Sequence, residues 1–223
     1  MRRALFIGAA LVVACSEPTI PDRTAWYGFD NAGDVFRWPR NRLPVRYYAD
    51  TRGRMSDIVT NGLGAWETQL LYGEFTAEMV ADSNVADVIV TWFDSVPPDA
   101  PPDPGPPVFA CDGVTTFLFD TAGTSLTEPI RTQIRITTAQ GYTLEQVAAC
   151  VRRVIVHELG HTIGLLQESP ASEDVMYSTV QVTVPSGRDR QTVQVLYHTA
   201  PTIGPAPPAP GPGGPTLARL TPP

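Results

Sequence analysis

The sequence predicts one α+β domain over residues 38–200, preceded by an export leader and followed by a low-complexity tail. Three observations carry the prediction. Apolar residues recur at helical spacing in three stretches, β-branched and aromatic runs of strand length stand among them, and proline is concentrated elsewhere. The 223 residues are 43% apolar and 17% charged, enough for a single core. Of 23 Pro, seven lie in residues 97–107 and nine in residues 201–223, which makes those stretches loop and tail.

At the start, Met1, Arg2 and Arg3 precede the apolar run 4–14, the charged and hydrophobic regions of an export signal too short to cross a bilayer as a mature helix. Its end, Val12-Val13-Ala14-Cys15, resembles a bacterial lipobox. On that resemblance residues 1–14 are removed and Cys15 is lipidated, making the chain a membrane-anchored lipoprotein at the periplasmic or cell surface; plain secretion is the alternative. Residues 15–37 show no sustained period and read as a tether.

Within the domain, residues 43–48 read as a strand with Pro44 near its start. Ser56 is placed to cap a helix running through Ile58, Val59, Leu63, Trp66, Leu70 and Leu71. Residues 86–93, 114–119 and 130–138 read as further strands. The last alternates Ile134 and Ile136 with Arg131, Gln133 and Arg135, so one face is wet and an edge position is expected. Thr143 and Gln146 form a capping box opening the longest helix, which runs to about Leu166 and is stopped near Gly164. A final helix over residues 187–197 opens with Ser186 and Asp189 in the same arrangement.

The 16 basic residues are all Arg and face 23 acidic ones, for a net charge of -7 and a pI near 4.9. Scattered Arg in an acidic chain argues against nucleic-acid binding, which needs clustered cations. Beyond Cys15 the thiols are Cys111 and Cys150, and in an oxidising compartment they read as a disulfide, with two separate buried thiols as the alternative.

The chemistry concentrates in His157-Glu158-Leu159-Gly160-His161. Residues four apart share a helix face, so both imidazoles can bind one Zn²⁺ while Glu158 reaches a water on the metal. The expected reaction is peptide hydrolysis without a covalent intermediate: zinc acidifies the water and polarises the carbonyl, and Glu158 moves the proton to the leaving amine.

Extended to Thr162-Ile163-Gly164-Leu165, and followed by Asp174-Val175-Met176-Tyr177, this segment resembles the metzincin metalloproteases, most closely matrixin-like bacterial ones. The resemblance implies a twisted, mostly parallel small sheet with an antiparallel edge strand, a long active-site helix and a C-terminal helix. It also implies a zinc endopeptidase acting on peptide or protein substrates as a monomer, with Met176 in a turn beneath the metal. An extended peptide would pair with an edge strand, for which residues 114–119 and 130–138 are the candidates.

One position departs from that pattern. Three residues after Gly164, where the family has its third zinc His, stands Gln167, and Glu168 follows. Glu168 precedes Met176 by eight residues, the family's usual separation, and carboxylate oxygen is a common zinc ligand whereas carboxamide oxygen is a poor one. The expected ligands are therefore His157, His161 and Glu168; Gln167, or no third protein ligand, remains open. His198 reads as a helix-end residue, Glu173 and Asp174 as partners of the site or solvated acids, and Tyr177 as a groove or packing residue. No Asp-rich loop has a calcium-ligand spacing. The loss of the third His also motivates a second expectation, a catalytically weak or inactive member that binds peptides or a partner.

Overall fold

The computed structural model describes residues 24–94, 110–137 and 143–207. The leader, Cys15, the proline-rich stretch 97–107 and the tail from 208 lie outside the described residues. Alternating apolar side chains build the sheet. In β1 (Val45–Ala49), Val45, Tyr47 and Ala49 are buried while Arg46 and Tyr48 are half-exposed. It pairs in parallel with β2 (Ala77–Met79), a short strand the sequence did not announce, and with β3 (Val88–Asp94). Next to β3, also parallel, lies β5 (Ile130–Thr137), and β4 (Ala110–Thr116) closes the sheet antiparallel to β5. The order β2-β1-β3-β5-β4 is thus mostly parallel with one antiparallel edge strand, as expected.

Two strand expectations change. The segment 130–138 was expected at an edge, but β5 lies between β3 and β4. Its alternation, with Thr132, Ile134 and Ile136 buried and Arg131, Gln133 and Arg135 exposed, reports an outward sheet face, and a face can be wet on an interior strand. The strand expected over residues 114–119 begins at Ala110 instead. Pairing from Ala110 with Thr137 to Thr116 with Arg131 sets its limits, leaving Phe117 and Phe119 beyond it as a stacked ring pair.

Among the described residues three α-helices complete the fold. α1 (Met55–Glu67) begins at Arg54 without a side-chain cap, so Ser56 lies inside the first turn. Burial of Met55 in the core draws the helix start forward, overriding the local capping signal. The helix stops at Glu67, and Leu71 is exposed rather than on its apolar face. In α2 (Leu144–Thr162) the Thr143–Gln146 capping box is present, as is that of Ser186 and Asp189 in α3 (Gly187–His198). Gly164 ends α2 for two reasons: its φ is +113°, and a Cβ there would meet the carbonyl oxygen of Phe36.

Buried aromatics with polar tips fix α2 against the sheet and α1. Trp66 Nε1 donates to the Val156 carbonyl at 2.7 Å, Trp38 Nε1 to the Thr162 carbonyl at 2.9 Å, and Tyr47 shares a 2.8 Å hydrogen bond with the Thr162 hydroxyl. All three bonds fall on the last two turns of α2, so its C-terminal half is the best-braced part of the helix.

The segment 15–37, read as a tether, is not one over its described part. Residues 24–37 pack on the domain, with Tyr27, Val35 and Phe36 buried, and Phe36 bridges Ile203 at the start of the C-terminal segment. Averaging composition over a polar stretch hid a few apolar side chains that find each other across the chain.

Candidate metal centre

The last turns of α2 place His157 and His161 one above the other, with ring centroids 4.9 Å apart. Each ring is oriented by a backbone carbonyl. His157 Nδ1 donates to Val175 at 2.8 Å and His161 Nδ1 to Leu165 at 2.6 Å. A carbonyl only accepts, so Nδ1 carries the proton and the Nε2 lone pair of each ring is left for a ligand.

Beyond Gly164 the chain turns back beneath the two rings. Leu166 N donates to the Phe29 carbonyl at 3.0 Å, and the Gln167 amide donates to the Asp30 carbonyl, with Gly28 against the Gln167 side chain. Gln167 is thereby directed at the N-terminal segment, and Glu168 at the histidines. Glu168 Oε1 lies 3.5 Å from His157 Nε2 and 3.6 Å from His161 Nε2, and the three ligand atoms fall within 4.8 Å of one another. These separations are long for hydrogen bonds but close to the roughly 3.3 Å between ligands of a tetrahedral ion with bonds of about 2.0–2.1 Å. Two imidazole nitrogens and a carboxylate oxygen are also a regular zinc donor set, so the residues present fit that ion.

Electrostatics agree with the geometry. Burial works to raise the Glu168 carboxyl, but when His157 and His161 are protonated at Nε2 in place of binding an ion, their nearness outweighs burial and holds the group at about 2. Burial works to lower His157, but Glu168 and then the Glu158 charge outweigh it and the ring is raised.

Glu158 is buried beside the pair, its side chain directed toward β4. Thr115 Oγ1 donates to Glu158 Oε2 at 2.6 Å, and the same hydroxyl lies 3.0 Å from Thr132 Oγ1. At Gly113 a Cβ would come within 2.5 Å of Glu158 Oε1, so the strand leaves room for the carboxylate only because that residue has no side chain. The sequence reading missed Gly113 and Thr115. A Gly inside a β-branched run marks close approach and was the available signal for the first.

Met176 is fully buried under α2, where a Cβ on Gly160 would meet its sulfur. Its turn is held by Asp189, whose carboxylate accepts from Val175 N at 2.8 Å and from the Tyr27 hydroxyl at 2.7 Å. Asp174 is fully buried and accepts from Ser169, Ser186 and Arg188, so it braces the turn rather than meeting solvent. Burial raises that carboxyl, but the hydrogen bonds from Arg188, Ser169 and Ser186 prevail and lower it. Glu173 makes an exposed pair with Arg188 at 3.2 Å. Tyr177 is not on the wall of the cleft, and His198 is exposed at the end of α3, bonded to Gln194 O. Cys111 and Cys150 are joined as a disulfide, Cα–Cα 6.2 Å, linking β4 to α2.

Between β4, α2 and residues 178–181 runs a cleft of about 920 Å³, with His157, Glu158, His161 and Glu168 on its wall. Among curated proteins no match is found. The family model for matrixin, peptidase M10, matches residues 45–198, from the first residue of β1 to the last of α3. With its mostly parallel sheet, its antiparallel edge strand and its His/Glu cluster on the long helix, this chain belongs to the matrixin family of metallopeptidases.

Proposed function

We propose that the protein is a zinc-dependent endopeptidase in which His157, His161 and Glu168 hold the ion and Glu158 is the general base. The observation that carries this reading is the approach of Glu168 Oε1 to both Nε2 atoms at 3.5 and 3.6 Å, with a buried carboxylate alongside in an open cleft. When bound, zinc supplies a water acidified toward a pKa of about 7 and polarises the substrate carbonyl. Glu158 takes the proton from the attacking water and returns it to the leaving amine. Thr115 orients the base through its hydroxyl, keeping one carboxylate oxygen fixed while the other is free to act. β4, the antiparallel edge of the sheet, offers its outer backbone groups to an extended peptide.

The same reading puts the protein outside the cytoplasmic membrane, anchored through a lipid on Cys15. The disulfide between Cys111 and Cys150 supports an oxidising compartment. Labelling with a fatty acid, lost in Cys15→Ala, tests the anchor.

For the activity, the zinc-loaded protein is incubated with unfolded casein beside Glu158→Gln. Cleavage by the former and its loss in the latter is the expected result. Bound zinc with equal, negligible cleavage by both would replace the endopeptidase with a peptide-binding member of the family.

A further inference from the structure

The cleft wall carries three carboxylates, Asp112, Glu158 and Glu168, and among the described residues a single guanidinium, Arg153. Every carboxylate is engaged. Asp112 pairs with Arg135 at 2.8 Å, Glu158 accepts from Thr115 at 2.6 Å, and Glu168 faces both histidines. Of the charged groups on this wall, only the Arg153 guanidinium has no hydrogen bond or ion pair among the described residues.

Its position is defined by helix geometry. Arg153 is half-buried on α2, one turn before His157 and on the same face, so it stands about 6 Å along the axis from the ligand pair. Beyond it the cleft leads to an adjoining hollow of about 560 Å³, where Arg153 is joined by Arg152 and Gln181. A guanidinium is charged at every accessible pH, and this one, half-buried on the cleft wall, has no counter-ion among the described residues. A carboxylate arriving with a ligand completes the pair, in the planar two-bond geometry that Arg favours.

We infer that Arg153 determines specificity, and that the preferred substrates are peptides carrying Asp or Glu one or two residues from the scissile bond. An extended peptide advances about 3.3 Å per residue, so a side chain at that distance reaches Arg153 while the carbonyl lies at the metal site. This rests on the endopeptidase reading and deepens it.

The test is a casein digest by the zinc-loaded protein, with product ends read by mass spectrometry, beside Arg153→Ala, Arg153→Glu and Glu158→Gln. Cuts should cluster at a fixed distance from Asp or Glu, and a peptide with Glu at that position should exceed its Lys counterpart by about tenfold in kcat/KM. Arg153→Ala should flatten the preference and Arg153→Glu should reverse it, with zinc content equal to wild type. A cut pattern indifferent to charge, or one unchanged in Arg153→Glu, overturns the inference and leaves the endopeptidase standing. Should no Glu158-dependent cutting occur, the endopeptidase reading fails by itself. The two peptides are then compared by fluorescence anisotropy on zinc-loaded Glu158→Gln: tighter binding of the Glu peptide, lost in the double variant with Arg153→Glu, supports the cation's role, and equal affinity overturns it.

Discussion

Replacing Glu168 with Ala removes one of three converging donors and little else. Its side chain is 46% exposed, and its charged contacts are the two histidine rings, so truncation opens no cavity in the core. Structural zinc sites with four ligands bind with about 10–16 kcal/mol, or roughly 3 kcal/mol per ligand. Losing one donor should therefore weaken zinc binding by about 10²–10³-fold. Competition against a chromophoric chelator measures this directly, and the visible absorption of a cobalt-substituted protein reports the change in coordination. Gln167→Ala is the matched control. Its amide donates to the Asp30 carbonyl, away from the rings, so zinc affinity should stay near the wild-type value. Unchanged affinity and stoichiometry in Glu168→Ala, or a larger loss in Gln167→Ala, would refute the assignment of the carboxylate.

Gly113→Ala should displace Glu158, because the new methyl would sit 2.5 Å from its carboxylate; the expected signature is a fall in kcat of about 10²-fold with zinc content intact. Loss of zinc together with activity would mean that the strand, not the base, had moved. Asp87 is buried against Arg42 and Arg46 at 2.8 and 2.9 Å, and Asp87→Asn should destabilise the fold by about 3 kcal/mol in denaturant melts. Burial raises that carboxyl but the hydrogen bonds from Arg46 and Arg42 prevail and lower it. Its stabilisation is thus complete above the unfolded value of about 3.9 and is lost as pH falls through the depressed folded value. A variant whose acid unfolding matches wild type would deny that role. Removing the disulfide with Cys111→Ser and Cys150→Ser should lower stability by about 2–4 kcal/mol, read as a drop in Tm; an unchanged Tm would show that β4 and α2 hold together without it.

What could be read from the sequence was whatever depends on neighbours along the chain. The face shared by His157 and His161, and the boxes Thr143–Gln146 and Ser186–Asp189, follow from helical spacing and need no tertiary information. Glu168 was reachable through its separation from Met176, because the loop between them is bounded by the Ser169–Met176 backbone bond. The contact of Thr115 with Glu158 was out of reach, since it spans 43 residues and depends on which strand takes the edge beside α2. The interior place of β5 was hidden for the same reason: alternation tells inside from outside, not middle from margin.

The N-terminal segment shows how far that limit extends into function. Phe29 and Asp30 offer carbonyls to Leu166 and Gln167, the two residues that lead into Glu168, and Tyr27 bonds the aspartate that holds the Met176 turn. A stretch composed like a linker is thus part of the frame around the metal site. It also shortens the proposed anchor. From Cys15 to Thr24, where described contacts with α3 begin, there are nine residue steps, at most about 32 Å of chain, whereas a tether reaching Trp38 would allow about 80 Å. With a lipid on Cys15, Thr24 is held within about 32 Å of the membrane surface.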